Sequence, residues 1–289
     1  MSDASNVKQR TRASADREAG QVFSSIVCAV DGSRRSLAAV EQAAILARGG
    51  GQLTLLAVTA VAGTGRYISA SINPWRAGRI LARATHIAHA AGADAPRSVV
   101  DPRKPVADVI LEWGSQSDLL ALGAPATSRA GALLLDGVFV TALGSCTCPL
   151  LIARPTPPGT RFATRILVAS DGSPESDHVI ELAGRVAHEQ GASLMLLHAI
   201  GIESRARPLH VQTQIQTLER LTGGVVETRI EVGDAHTLIT AAARDEHASL
   251  VIVGSRRLGG LSALGSVSRR VVHKAPCSII LVPPADHRS

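Results

Sequence analysis

Short, continuously apolar runs alternate along this chain with longer stretches of mixed polarity. In the first half the runs predict strands over Ser25–Val30, Leu53–Val58, Pro96–Val100, Leu119–Leu122 and Pro149–Ala153. Runs that are apolar throughout, rather than at every second residue, are those of parallel strands buried on both faces. The stretches between them predict helices over Arg34–Arg48, closed by Gly49-Gly50-Gly51, and over Pro74–Ala91, closed by Gly92. A third helix is expected from Pro105 to Gln116, and a short fourth from near Gly137.

The second half predicts the same succession, with strands over Arg165–Ala169, Leu194–His198, Val225–Ile230, Leu250–Val253 and Ser278–Val282. Its helices are expected over Pro174–Gln190, Pro208–Leu221, Ala235–Glu246 and Ser266–Lys274. Strands and helices in strict alternation imply right-handed crossovers and a parallel sheet. The fold class is therefore α/β, as two tandem doubly wound domains, each a five-stranded parallel sheet flanked by helices.

The two halves also share a motif. Ile26-Val27-Cys28-Ala29-Val30-Asp31-Gly32-Ser33 returns as Ile166-Leu167-Val168-Ala169-Ser170-Asp171-Gly172-Ser173, 140 positions later. Each copy ends an apolar strand on an acidic residue, a Gly and a Ser, at the place where open α/β sheets hold ligands. The stretch Arg154-Pro155-Thr156-Pro157-Pro158-Gly159-Thr160 can continue neither a ladder nor a helix and reads as a stiff connector. The expected organisation is a basic, disordered tail at 1–20, a domain at 21–154, a linker at 155–163, a second domain at 164–284 and a short tail at 285–289.

Composition narrows the chemistry. Aromatic residues make up only 2% of the chain, so the cores must be aliphatic and stacking platforms for nucleic-acid bases are scarce. The net charge of +6 favours acidic partners without choosing among them, and a nucleic-acid role would rest on charge alone. No apolar stretch is long enough to span a bilayer, and no secretory leader is recognisable in the polar first 20 residues. A soluble, cytoplasmic protein without membrane contact is expected. The four cysteines, Cys28, Cys146, Cys148 and Cys277, suit a reducing compartment. Cys148 and Cys277 correspond, as small buried residues opening the last strand of each half. His86 and His89 share a helix face but have no third ligand at a readable spacing, so no metal site is assigned.

One loop carries candidate chemistry. Gly254 to Ser268 follows a buried strand, contains Gly254, Gly259, Gly260 and Gly265, and leads into a helix at Ser266. Glycines let backbone N–H groups converge on an anion, and a helix start adds N–H donors and its dipole. The alternative is a glycine-rich turn in which Ser266 caps its own helix. Asp171 likewise either holds a ribose, a base or Mg²⁺, or caps the turn that follows it. For Asp31 the capping reading is preferred.

Val168-Ala169-Ser170-Asp171-Gly172-Ser173-Pro174-Glu175-Ser176, the loop Gly254–Ser268, and Val271-Val272-His273-Lys274-Ala275-Pro276-Cys277-Ser278-Ile279-Ile280-Leu281-Val282 together resemble the universal stress protein family. Both halves carry the resemblance, and it implies the strand order 3-2-1-4-5. In nucleotide-binding members a Gly-x-x-Gly, nine residues and a Gly-Ser or Gly-Thr pair wrap the phosphates of ATP. The resemblance places Asp171 at the acidic position, Gly254 at the first glycine and Gly265-Ser266 at the closing pair. Ser170 beside the acid and Val267 after the pair complete the expected contacts, with Ala199 lining the base. Arg257 stands where the second glycine belongs, and Leu258–Leu264 gives seven intervening residues instead of nine. Arg257 either contacts phosphate through its guanidinium or fills the space phosphate would take.

The first half departs further, with Gly123-Ala124-Pro125-Ala126 and Asp136-Gly137 at the two ends of the loop. Pro125 removes a donor, Ala126 disfavours positive φ, and Asp136 is expected to cap a helix starting at Gly137 where phosphate would lie. This half is expected to bind no triphosphate, and glycine at 126 and 136 to raise its nucleotide affinity. The apolar edges Leu150-Leu151-Ile152 and Ile279-Ile280-Leu281 need covering. The resemblance implies that they pair within the chain, as an internal pseudo-dimer, with a homodimer also open.

No Walker lysine motif, Gly-x-Ser-x-Gly elbow or His-Glu-x-x-His is present, so a turnover enzyme is not expected, slow ATP hydrolysis aside. The expected function is a stress-response protein that senses ATP, with Mg²⁺, through its second half, and meets an unidentified protein partner. The alternative is an interaction module of the same fold that needs no nucleotide.

Overall fold

The computed structural model describes residues 21–59, 72, 74–103, 105–125, 132–201, 208–255 and 266–285, with backbone only at 132–137, 140, 208 and 266. The expected tails fall almost wholly outside these residues. In the first half the strands are β1 (Ser25–Ala29), β2 (Gln52–Val58), β3 (Arg97–Asp101), β4 (Leu119–Gly123) and β5 (Leu150–Ala153). Their helices are α1 (Arg34–Leu46), α2 (Pro74–Ala90), α3 (Val106–Ser115) and α4 (Ala132–Ser145). The second half has β6 (Arg165–Ser170), β7 (Ser193–Ile200), β8 (Glu227–Val232), β9 (Leu250–Gly254) and β10 (Ser278–Val282). A 3₁₀ turn at Pro174–Ser176 leads into α5 (Asp177–Gln190), followed by α6 (Pro208–Thr222), α7 (Ala235–Asp245) and α8 (Ser266–Lys274).

The strands lie in the order β3-β2-β1-β4-β5-β10-β9-β6-β7-β8. Each half has the 3-2-1-4-5 arrangement, but the two five-stranded sheets are one ten-stranded sheet. The join is antiparallel, with Ile152 opposite Ile279, Leu151 opposite Ile280 and Leu150 opposite Leu281. All six of these residues are buried. Two apolar edges that would each invite foreign strands thus satisfy one another's backbone groups. Around the join, Gln42 Nε2 donates to the Arg154 carbonyl (2.7 Å), and the Arg154 N–H donates to Ser278 Oγ (3.0 Å). At the far side, the Val22 N–H donates to Glu189 Oε2 at 2.8 Å, again across the halves.

The helices form two layers. On one face, α1 and α2 pack through Leu37, Ala39, Ala43, Ile80 and Ala84, and α5 with α6 through Ile180, Ala183 and Leu218. On the other, α3 and α4 pack through Val109, Ile110 and Ala142, and α7 with α8 through Ile239, Ala243, Val271 and Val272. Small residues let these aliphatic layers approach closely: a Cβ on Gly184 of α5 would lie 2.7 Å from Leu221 Cδ1 of α6.

Three expectations need correction. The fourth helix begins at Ala132, not near Gly137, because the helix-favouring run Leu133-Leu134-Leu135 carries it back by more than a turn. Asp136 is therefore inside α4 and does not cap its start. The predicted strand over Val225–Ile230 lies instead over Glu227–Val232, with Val225 94% exposed in the preceding loop. As an edge strand, β8 is held by its ladder to β7 and by Arg229, which pairs with Glu231 and Glu246, so its apolar content was a poor guide to its limits. The helix expected from Pro174 is 3₁₀ for three residues and α-helical from Asp177.

Candidate functional site

The carboxyl end of β6 is a tightly bonded turn. Asp171 Oδ1 accepts from the Ser173 N–H (3.1 Å) and from Ser173 Oγ (2.6 Å), closing the turn on itself. Asp31 repeats the backbone bond, accepting the Ser33 N–H at 2.8 Å, and Ser33 then caps α1 by accepting the Ser36 N–H. Both aspartates thus shape the turn in which they sit. Gly172 has φ +71, and a Cβ there would lie 2.8 Å from His198 Cε1 and 2.9 Å from Val211 Cγ2. Only glycine lets this turn rest on β7 and α6.

Ser170 is buried, and its hydroxyl is committed inward. It donates to Gln214 Oε1 of α6 (2.7 Å) and accepts the Gly172 N–H (2.9 Å). Gln214 Nε2 in turn donates to the Ser173 carbonyl (3.2 Å), Ser176 Oγ (3.0 Å) and Asp177 Oδ1 (2.7 Å). Gln214 was not singled out in the sequence, since a glutamine in a helix carries no spacing signal. His198 lies beside this network, its Nδ1 3.2 Å from the Ser170 carbonyl. Burial lowers the His198 pKa, and the bond to the carbonyl restores part of the loss.

Strand alternation divides the predicted contacts between the two faces of the sheet. Ser170 pairs in register with His198, on the side of α5 and α6, whereas Ala169 and Leu197 belong to the α7 and α8 side. Ala199, two residues beyond Leu197, shares that second side and is buried at the sheet's end. Gly254 closes β9, and Val267, in the first turn of α8, packs on the core of the same side. Ser268 Oγ donates to the Gly254 carbonyl at 2.8 Å, tying the start of α8 to the end of β9. The Ser255 N–H donates to the Val282 carbonyl, fixing the strand's exit against β10. Ala199 and Gly254 thus stand at the carboxyl edge of the sheet near the start of α8, but a Cβ on Gly254 would lie 3.2 Å from Val179 Cγ2 of α5, so Gly254 presents to the same side as Ser170. Arg257 and Gly265 lie outside the described residues.

In the first half, Ala126 also lies outside the described residues, and α4 takes up Asp136 within its helical body. A cleft of about 600 Å³ opens in this half on the α1 and α2 side, next to Gly32 and bordered by Arg76, Arg79 and Arg83. All four cysteines are free thiols, and burial pushes Cys277 up to about 12. Among the described residues, no helix is long and apolar enough to cross a membrane.

Two doubly wound α/β halves joined through their last strands define a tandem open-sheet α/β protein. The chain belongs to the universal stress protein family, whose model matches residues 23–154 and again residues 163–283. Universal stress protein Rv2005c of Mycobacterium tuberculosis is 29% identical over 229 residues, covering 70% of this chain and 75% of its own. A Thermus aquaticus universal stress protein is 33% identical over 132 residues, covering 40% of this chain and 96% of its own. Among solved structures, a universal stress protein of Archaeoglobus fulgidus superposes with a TM-score of 0.75 at 22% identity, over 92% of this chain and 98% of that one. It shares the fold.

Proposed function

We propose that this is a cytoplasmic stress-response protein that senses an adenine nucleotide, ATP with Mg²⁺, through its second half without turning it over. The observation that supports the reading is that the Ser268 Oγ bond to the Gly254 carbonyl holds the amino end of α8 against the exit of β9, with the small Ala199 buried at the carboxyl end of β7. A small residue there leaves room for a base, and a helix amino terminus beside the exit of β9 suits phosphate. Gly265, Ser266 and Arg257 would face the phosphates, Val267 would back them from the core, and Asp171 would stand near the sugar or metal. Ser170, beside Asp171, would support the site by positioning the turn through Gln214. The first half serves as a structural partner, completing the sheet at β5.

Native mass spectrometry of freshly purified protein, followed by calorimetric titration with ATP and Mg²⁺, tests this. One nucleotide per chain, lost in Ser266→Leu and in Gly265→Asp with the fold intact, is the expected result. No binding at millimolar ATP would leave the nucleotide-independent interaction module as the reading.

A further inference from the structure

We infer that the first half carries a second, separate ligand site: a cleft between α1 and α2 that takes a small organic anion bearing two or more phosphate groups. Arg76, Arg79 and Arg83 lie at i, i+3 and i+7 on α2, so they share one helix face and spread their charge over about 10 Å of helix. They border an open cleft of about 600 Å³, a volume within the range of small-molecule sites. Its floor is apolar, made by Leu37 and Ile80, each 8% exposed. At its rim the Trp75 indole is 88% exposed. Helix α2 contains no acidic residue, and among the described residues no carboxylate lines the cleft. None of the three arginines is ion-paired among the described residues either.

The second half shows what this region looks like when its charges are balanced. A Cβ on Gly32 would meet Ile80 at 2.8 Å, and one on Gly172 would meet Val211 at 2.9 Å, so Ile80 and Val211 are equivalent. By the same offset His210 stands for Arg79 and Gln214 for Arg83, while the repeat places Asp177 at the position of Leu37. In the second half those residues bond to one another: His210 Nε2 lies 2.9 Å from Asp177 Oδ1, and Gln214 Nε2 lies 2.7 Å from the same oxygen. In the first half the acid is replaced by leucine, and the two residues that bonded to it by arginines. The network is opened into a cationic cleft with an apolar floor. The acid of the adjoining turn, Asp31, is occupied in part by the Ser33 N–H.

Guanidinium forks bind phosphate oxygens in pairs, and a row of three suits linked phosphates better than one. Trp75 and the apolar floor suit an organic moiety attached to them. The cleft lies on the α1 and α2 side and uses no described residue from the segment between β4 and α4. It is thus independent of the loop chemistry proposed for the second half.

The test is titration of the full chain with inorganic tripolyphosphate at about 0.15 M salt, where diffuse surface attraction is largely screened. Binding is read by calorimetry and by the fluorescence of Trp75. The expected result is a saturable Trp75 response, absent in Trp75→Phe, with affinity lowered about tenfold or more in R79Q/R83Q. R79K/R83K should recover part of it, and R97Q/R244Q, which removes the same charge from exposed positions elsewhere, should bind like the parent. Ser266→Leu should also bind tripolyphosphate at the cleft, which separates this site from the nucleotide site. The proposal is overturned by no Trp75 response in the parent, or by equal losses in R79Q/R83Q and R97Q/R244Q.

Discussion

Gln214 reaches out of α6 to accept a 2.7 Å hydrogen bond from Ser170 Oγ, and by the same side chain it holds Ser173, Ser176 and Asp177. One amide thus fastens the turn after β6 to a helix more than forty residues away in sequence. Gln214→Leu should leave the buried Ser170 hydroxyl and the half-buried Ser176 hydroxyl with fewer partners. The expected loss is about 1–3 kcal/mol of stability. Urea denaturation measures this, and a weaker ATP titration of the folded variant should accompany it. An unchanged denaturation midpoint would show that the turn is held by its own bonds alone.

Gly172 offers a sharper steric test. Its φ of +71 and the approach of His198 Cε1 and Val211 Cγ2 both oppose any side chain. Gly172→Ala should cost about 2–4 kcal/mol, the strain of the left-handed conformation adding to a forced shift of β7 or α6. Gly191 has φ +59 but nothing within 4 Å of the place a Cβ would take, so Gly191→Ala should cost only about 1 kcal/mol. Equal thermal shifts in the two variants would mean that the contact with His198 is soft.

These two residues also mark what the sequence reveals and what it hides. The repeated Asp-Gly-Ser after an apolar run was legible because a tight turn demands glycine and a short acceptor, whatever surrounds it. The parallel strands were legible because Leu250–Gly254 and Ile279–Leu281 are apolar without interruption. The limits of β8 were not, since an edge strand need bury only one face and its register comes from β7. Nor was the role of Gln214, or the correspondence of Leu37 with Asp177, because each depends on a helix meeting a turn distant in sequence. Asp136 was misplaced for a related reason: the end of the loop was set by analogy with Gly265-Ser266, while Leu133-Leu134-Leu135 extends the helix.

That correction alters one expectation. With α4 running from Ala132, a glycine at 136 sits in the helix interior and creates no anion site. Asp136→Gly should lower stability by less than about 1 kcal/mol and leave ATP binding by the first half unchanged. A rise in nucleotide stoichiometry on calorimetric titration of this variant would contradict the helical placement.

His198 should couple stability to pH. Its ordinary value is 6.5, and burial lowers it in the folded protein, with the Ser170 carbonyl opposing part of the shift. The unfolded chain therefore takes up this proton at a higher pH than the folded one does. The contribution is complete above about pH 6.5 and is lost as pH falls through the lowered folded value. Denaturant midpoints measured from about pH 7.5 to 5 should fall less steeply for His198→Gln than for the parent. Parallel curves would show that protonation of His198 does not set the pH dependence.

Ile280 tests whether the joined sheet makes one cooperative unit. It is fully buried and lies opposite Leu151 across the antiparallel join, with Ile252 on its other side. Ile280→Ala should cost about 2–5 kcal/mol, the lost transfer energy plus that of the cavity left behind. Both tryptophans, Trp75 and Trp113, are in the first half, so their fluorescence reports unfolding on the side of the join that the substitution does not touch. If β5 and β10 couple the halves, the tryptophan transition in urea moves to lower concentration together with the circular dichroism. If only the circular dichroism moves, the second half unfolds on its own and the ten strands form two energetic domains. The expected outcome is coincident movement, because opening the second half would expose the apolar edge of β5, whose Leu150, Leu151 and Ile152 are buried beside β10.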